Sequence, residues 1–238
     1  MTIRQKRFWK GAGMVSAEML GAMTVFTCAL AGLVFWLRPY MRRHKKIDLK
    51  IFDIVKAHTN EKNTQIMSAI TVLAKHQFLI PANLSLIYYF LFLHKRTWFS
   101  IRVAAIALSS LGLMFLLKYL FKRKRPQPSL LRAAKGMSFP SGHAIFSVTF
   151  YGLLIYIISQ TQKNKALKWS LILPLLLLIQ LIGYSRVYLR VHYASDVVAG
   201  YIVGASWLLI SLDLLKRIED YNKMHNKLSA RRPAFISY

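Results

Sequence analysis

Two residues in the last quarter of the chain have the types and spacing of a catalytic pair. His192 and Asp196 are four positions apart, which on a helix places them on one face and within reach of each other. A carboxylate beside one imidazole nitrogen fixes the tautomer and leaves the other nitrogen free to attack an electrophile. The competing interpretation is a polar pair at a membrane edge, in which each residue satisfies only the hydrogen-bonding needs of the other. Asp196 is the sole acid between Glu61 and Asp213, which counts against that interpretation.

A second segment, Pro140-Ser141-Gly142-His143, is typical of a turn that enters a helix. Pro140 fixes the chain, Ser141 can cap the helix, and Gly142 lets the backbone approach a ligand closely. The free N–H groups at a helix start form an anion site, and His143 would lie at its mouth. Taken alone, an ordinary capped helix start explains the segment equally well.

Cations form the third group of candidate residues. Lys118 lies at the end of an apolar run, where a buried charge is costly unless it is paired or functional. Arg125 follows about two helical turns later, so both side chains would face one direction if the helix continued. A basic membrane flank that extends to the head groups is the alternative. We keep that alternative for Lys122, Arg123 and Lys124.

The composition of the 238-residue chain indicates a membrane protein. Hydrophobic residues make up 55% of it and the mean hydropathy is +0.35, whereas soluble domains contain about 45–50% apolar residues. Lys and Arg number 34 against 8 Asp and Glu, a net charge of +26. Nucleic-acid-binding proteins seldom carry long apolar runs, whereas anionic lipid head groups account for both features. We expect a bilayer as partner, no nucleic acid and no obligate protein partner.

The scarcity of acids limits the metal chemistry available to the chain. Catalytic Mg²⁺ or paired metal ions need clustered carboxylates, and the sequence has no such cluster near the candidate residues. The single cysteine, Cys28, lies inside an apolar run and offers neither an intrachain disulfide nor a Cys-based metal site. We therefore expect no metal and no other cofactor.

Hydrophobic runs predict an all-α bundle of six membrane-spanning helices, since about 20 apolar residues cross a bilayer. The first run is too long for a signal peptide, so we expect a retained anchor. Residues 39–64 are expected to form a polar surface connection, and Thr64–Ala74 a short amphipathic helix before the second span. The predicted spans are about Met14–Leu37, Phe78–Leu93, Arg102–Leu120, His143–Ser159, Trp169–Leu189 and Ala194–Leu215.

Topology brings the candidate residues together. In an antiparallel bundle of six spans, the loops between spans three and four and between spans five and six emerge on the same side. Three cations, an anion-binding helix start and two histidines on one face describe a phosphate site. We expect a single membrane domain, 1–238, with a catalytic core at about 65–215. Charge does not orient it: Lys and Arg number 16 on the side of the termini and 17 opposite, leaving out Lys75.

The three segments resemble the signature motifs of the type 2 phosphatidic acid phosphatase family, which also includes vanadium haloperoxidases and bacterial class A acid phosphatases. The resemblance covers residues 118–196, and the predicted spans extend it over nearly the whole chain. The matching segments are Lys118 to Arg125-Pro126, Pro140 to His143, and Ser185-Arg186 to His192 and Asp196.

The resemblance implies that the cations and the helix start bind phosphate. Lys118, Arg125 and Arg186 would clamp the phosphate oxygens with charge-assisted bonds. Ser141 and the backbone N–H of Gly142 would complete the cradle.

The resemblance also implies the catalytic roles. His192 would attack phosphorus in line, and Asp196 would hold the attacking tautomer. His143 would protonate the leaving oxygen and then activate the water that hydrolyses the phosphohistidine. Supporting roles would fall to Pro126, Pro140 and Ser185.

The function implied is that of a lipid phosphatase in a cell membrane, expected to be the bacterial inner membrane, with its site on the periplasmic or extracellular face. Candidate substrates are undecaprenyl diphosphate, which we prefer, phosphatidylglycerophosphate, phosphatidic acid and the phosphate of lipid A. Two other classes stay open. A vanadate-dependent haloperoxidase is disfavoured by six spans, and a non-enzymatic lipid-binding protein is disfavoured by the complete set of His143, His192 and Asp196.

Overall fold

The protein is built from α-helices, with no strand among the residues that the computed structural model describes, 17–32, 35, 45–130 and 136–231. This confirms the predicted all-α class. A π-helical turn, Tyr89–Leu93, directly extends the fourth helix. In chain order the helices are α1 (Ala17–Gly32), α2 (Lys45–Lys56), α3 (Glu61–Val72), α4 (His76–Tyr88), α5 (Thr97–Phe121), α6 (Gly142–Thr161), α7 (Lys165–Tyr188) and α8 (Ala194–Arg231).

Five helical stretches in the described part of the chain are long and apolar enough to cross a bilayer. They correspond to predicted spans two to six, and α8 continues well past the predicted end at Leu215. Of the first predicted span, Met14–Leu37, the structure describes a shorter apolar helix, α1, and the rest lies largely outside the described residues. The count of six therefore stays a prediction. The five stretches are Glu61–Leu93, Thr97–Phe121, Gly142–Thr161, Lys165–Tyr188 and Ala194–Met224.

The connection predicted over residues 39–64 is not simply a polar surface segment, because it contains α2. Asp48, Phe52 and Val55 are buried on one side of this helix, as their spacing of four and three residues requires. Ile47 and Ile54 are exposed beside that buried side. The short helix predicted over Thr64–Ala74 corresponds to α3, Glu61–Val72, and α2 is a further amphipathic helix before it.

Helix α6 lies at the centre of the bundle and packs on α5, α7 and α8. Its contact with α8 is close because Gly200 has no side chain. A Cβ atom at Gly200 would lie 2.7 Å from the Cβ of Ala144 and 2.8 Å from the carbonyl oxygen of Ser141. Small residues at such crossings let membrane helices approach each other. This approach sets the separation between the starts of α6 and α8, where the candidate residues lie.

Candidate active site

Lys118 and Arg125 reach the same region by different routes. Helix α5 ends at Phe121, because Lys122 adopts the left-handed conformation with φ 47°. The helix therefore ends about where predicted span three does, and it does not continue from Lys118 to Arg125. Arg125 instead extends from the irregular segment after α5, and its Nη1 donates a hydrogen bond to the carbonyl oxygen of Val191 at 2.7 Å.

His192 lies in the turn between α7 and α8, not on a helix as predicted. The carbonyl oxygen of Arg186 accepts the N–H groups of Val191 and His192 and closes this turn. The imidazole is buried, and Nη1 of Arg125 lies 3.1 Å from its Nε2. A guanidinium can only donate, so Nε2 holds a lone pair and Nδ1 carries the proton of the neutral ring.

Asp196, in the first turn of α8, approaches the other side of the imidazole. Its Oδ2 lies 3.7 Å from Nδ1 of His192, an ion-pair distance that is too long for a direct hydrogen bond. The hydroxyl of Ser138 lies between the two groups. It donates to Oδ2 of Asp196, and its oxygen is 3.4 Å from Nδ1 of His192. Ser138 therefore bridges the pair that the sequence predicted to be in direct contact.

Arg123 also contacts Asp196, which the interpretation as a basic membrane flank did not foresee. Its Nη1 donates to Oδ1 of Asp196 at 2.6 Å and to the hydroxyl of Ser195 at 2.8 Å. Its Nη2 donates to Asp48 of α2 at 2.9 Å. For Arg123 the flank interpretation is wrong. Side chains two positions apart in an extended segment point the same way. Because Arg123 is two positions before Arg125, its spacing could have indicated that it also faces the site.

The start of α6 leaves polar groups free. Ser141 occupies the position before the helix, but its side chain makes no capping hydrogen bond, contrary to the prediction. Its backbone N–H donates to the carbonyl oxygen of Asp196 at 3.0 Å. The buried Ser141 Oγ and the buried Nε2 of His143 have no partner among the described residues. Gly142, the first residue of α6, is buried between them.

Arg186 is 5% exposed in the last turn of α7. Its Nη1 donates to the hydroxyl of Thr71 at 2.5 Å, and its Nε has no partner within the described part of the chain. The neighbouring Ser185 donates to the carbonyl oxygen of Ile182 in its own helix, at 2.6 Å. The hydroxyl proton of Ser185 is thus used within α7. Pro126 and Pro140, the other two predicted supporting residues, are buried.

The arrangement of these motifs agrees with comparisons between this chain and known proteins. A family model described as the PAP2 superfamily matches residues 99–219. The chain belongs to the PAP2 superfamily. It is 30% identical to phosphatidylglycerophosphatase B of Bacillus subtilis (strain 168), over 59% of this chain and 69% of that protein. It is 35% identical to undecaprenyl-diphosphatase of Sulfolobus acidocaldarius, over 38% of this chain and 42% of that protein.

Two solved structures share the fold of this PAP2 protein. The transmembrane PAP2 type phosphatidylglycerolphosphate phosphatase from Bacillus subtilis superimposes with a TM-score of 0.70 at 23% identity, covering 83% of this chain and 96% of that one. Aquifex aeolicus LpxE gives 0.53 at 25% identity, covering 69% and 94%. The family recognised from the motifs is confirmed. The chain is a multi-pass membrane protein and a hydrolase of phosphoric esters.

The charges of the PAP2 site would attract an anion and keep the imidazole of His192 neutral. Lys118 lies within electrostatic range of both Arg125 and Arg186, so three cations share the region. Burial lowers the pKa of His192 to about 4, the Arg125 cation adds to this, and the Asp196 carboxylate only partly offsets it. His192 is therefore uncharged at neutral pH. Burial also lowers the pKa of Arg125, whose charge Asp196 helps to retain.

Three residues around the predicted catalytic pair were missed from the sequence: Ser138 and Arg123 contact Asp196 directly, and Asp48 contacts Arg123. Ser138 lies two positions before Pro140, and its place beside a motif was the only signal for it. Asp48 is one of just 8 acidic residues. This scarcity makes it conspicuous in the sequence but does not indicate where it lies in the fold. For Arg123, the signal was its spacing from Arg125.

Proposed function

We propose that this PAP2 phosphatase removes phosphate from a membrane lipid through a phosphohistidine on His192. The contact of 3.1 Å between Arg125 and Nε2 of His192 carries the proposal, since it identifies the ring nitrogen with the free lone pair. That nitrogen belongs to a neutral, buried imidazole beside three cations, which is the environment that an in-line attack on phosphorus needs.

Phosphate binding would use the groups that the protein leaves unsatisfied. The hydroxyl of Ser141 and Nε of Arg186 are buried without partners among the described residues, and phosphate oxygens would accept from both. Lys118, which donates to the carbonyl oxygen of Met137 at 3.1 Å, would redirect its ammonium to the anion. Arg125 would shift from Nε2 of His192 to a phosphate oxygen and so release the lone pair.

The reaction would proceed in two displacements. In the first, Nε2 of His192 forms a bond to phosphorus while the bond to the leaving oxygen breaks, and His143 gives that oxygen a proton. Asp196 and the bridging hydroxyl of Ser138 stabilise the positive charge of the phosphorylated imidazole. In the second, His143 takes a proton from water as the water attacks phosphorus. The N–P bond breaks, inorganic phosphate leaves, and His192 is neutral again.

An apolar groove supports a lipid as the substrate. A cavity of about 340 Å³ lies between α4, α5 and α6. Its lining begins at His76, the first residue of α4, and at Phe146, one turn after His143. It continues toward the middle of the bundle past Leu108 and Leu153. An acyl or isoprenyl chain would fit there while its phosphate occupies the site.

The groove can be tested by filling it. Ala107→Trp should raise KM for a long-chain lipid phosphate about 10-fold or more, because the indole occupies the space of the chain, and should leave hydrolysis of water-soluble p-nitrophenyl phosphate unchanged. Leu177→Trp is the control, since Leu177 is exposed on α7 and does not line the groove. If both substrates respond equally to Ala107→Trp, the chain does not bind there.

The substrate itself would be a glycerolipid phosphate or an isoprenyl diphosphate, since the relatives named above include an enzyme of each kind. We place the protein in a bacterial inner membrane with its site on the outer face. Phosphate release by the purified protein from phosphatidylglycerophosphate, phosphatidic acid, undecaprenyl diphosphate and lipid A tests the proposal, with His192→Ala as the blank. Absence of release from every lipid, or release that persists in His192→Ala, would reject it.

A further inference from the structure

We infer that Asp48 of α2 is a positioning residue for the catalytic pair and acts on Asp196 through Arg123 and the start of α8. The inference rests on the proposed role of His192 as the nucleophile. It concerns a helix that lies outside the three sequence motifs and outside residues 99–219, which the family model matches.

Asp48 is buried and its carboxylate makes three contacts. Oδ2 accepts from Nη2 of Arg123 at 2.9 Å and from the hydroxyl of Ser195 at 2.7 Å. Oδ1 accepts from the backbone N–H of Ser195 at 3.0 Å. Ser195 is the second residue of α8, where backbone N–H groups lack helical partners. A carboxylate at this end is also stabilised by the helix dipole. Asp48 therefore caps α8 from a separate helix.

The contacts of Asp48 with Ser195 and with Arg123 both affect Asp196. Asp196 directly follows Ser195 in the capped first turn of α8. In addition, Arg123 donates to Oδ1 of Asp196 at 2.6 Å. Arg123 thus joins two carboxylates, and its guanidinium also lies 4.1 Å from the centre of the Tyr193 ring. Oδ2 of Asp196 remains directed at Ser138 and His192. Because Arg123 holds Oδ1 of Asp196, it also determines where Oδ2 of the same carboxylate points.

Apolar contacts hold α2 in place independently of Asp48. Phe52 and Val55 belong to a buried cluster with Tyr188 and Val191, and the rings of Phe52 and Tyr193 lie 5.7 Å apart. Asp48→Asn keeps the shape of the side chain and removes its charge, so α2 should stay docked. Asp53 of the same helix is exposed, and its side chain makes no hydrogen bond or ion pair with the residues that the structure describes. Asp53→Asn is therefore the matched control.

The test measures kcat and KM with a lipid phosphate, in the full-length protein in detergent. We expect Asp48→Asn to lower kcat about 10- to 100-fold, because a small misplacement of a catalytic group has this effect. KM and competitive inhibition by inorganic phosphate should stay within about twofold, because the phosphate clamp is untouched. Asp53→Asn should match the parent protein, and Asp48→Glu should recover part of the activity.

A double-mutant cycle separates positioning from a general structural role. Because Asp48 acts largely through Arg123, the loss from Asp48→Asn should shrink several-fold in the Arg123→Gln background. Equal losses in both backgrounds, or an Asp48→Asn protein as active as Asp53→Asn, would overturn the inference. Turnover by His192→Ala would refute the proposed function instead. An inactive His192→Ala beside an unaffected Asp48→Asn refutes this inference alone.

Discussion

Nη1 of Arg125 lies 3.1 Å from Nε2 of His192, and the same Nη1 donates to the carbonyl oxygen of Val191. The arginine proposed to bind phosphate and the proposed nucleophile are thus in direct contact. The arginine identifies the ring nitrogen that holds the lone pair, and its hydrogen bond occupies that lone pair at the same time. Substrate binding would then uncover the lone pair, because a phosphate dianion attracts the guanidinium more strongly than a neutral imidazole does.

The covalent intermediate should be trappable with a variant of His143. With p-nitrophenyl phosphate, whose leaving group needs little protonation, His143→Ala should still phosphorylate His192 but hydrolyse it slowly. We expect steady-state turnover to fall about 100- to 10,000-fold and protein-bound phosphate that is labile to acid and stable to base. Phosphate transfer to protein in a His192→Ala/His143→Ala double variant would contradict the assignment.

The acid limb of the kcat/KM profile should lie well below the ordinary histidine range, because kcat/KM reports the pKa values of the free enzyme. The folded pKa of His192 is lowered to about 4, so the imidazole remains the neutral nucleophile as the pH falls through 6.5 and is protonated only near 4. Activity that depends on this group is present above about pH 5 and lost below it. The measurement is kcat/KM between pH 4 and 8, beside the ionisation of the free substrate followed by ³¹P NMR. A limb at 6.5 that the substrate does not explain would contradict the lowered pKa.

Gly200→Ala should damage the protein through the contact between α6 and α8. The added Cβ would lie 2.7 Å from the Cβ of Ala144 and 2.8 Å from the Ser141 carbonyl oxygen, so α8 must move away from the site. Overpacking of this kind costs about 1–3 kcal/mol. We expect a lower Tm and a reduced kcat. Gly21→Ala in α1 is the control, because its added Cβ would meet nothing within 4 Å among the described residues beyond its own stretch of helix. A Gly200→Ala protein that behaves like it would contradict the prediction.

Activity should survive removal of metal ions and respond to vanadate. The described part of the chain holds no group of three or more His, Cys, Asp or Glu side chains that could bind a metal. We expect turnover in excess EDTA to match that in its absence. Vanadate should inhibit competitively, because it adopts the trigonal bipyramidal geometry expected at phosphorus. Loss of activity in EDTA that Mg²⁺ restores would contradict the prediction.

The loop that carries Arg125 and the carboxyl terminus should face opposite sides of the membrane. Helix α8 starts at the site and crosses the bilayer, so the residues after it emerge opposite the site. The measurement uses impermeant thiol reagents on single cysteines at Gln127 and after Tyr238, in a Cys28→Ser background. Gln127 should be labelled from outside. Labelling of both positions from one side would contradict the antiparallel bundle, and labelling of Gln127 from the cytoplasm would contradict only the outer placement.

The sequence by itself determined the helices that cross the bilayer and the residues that carry the motifs. Apolar runs such as Arg102–Leu120 and Trp169–Leu189 are local properties, because the bilayer selects for length and hydrophobicity whatever the neighbours are. The motif residues were recognisable by type and spacing alone. Family membership followed from them and is confirmed by the match to residues 99–219.

Only the tertiary structure decided how the motif residues are held. Asp48 meets Arg123 across 75 positions of sequence, and Arg123 meets Asp196 across 73. No local pattern encodes such contacts, because they depend on where α2 docks and where α5 stops. The left-handed Lys122 ends α5 at Phe121 and turns Arg123 and Arg125 into the site. The four-residue spacing of His192 and Asp196 suggested that both lie on one helix. In the structure His192 lies in a turn, Asp196 lies in α8, and the hydroxyl of Ser138 joins them.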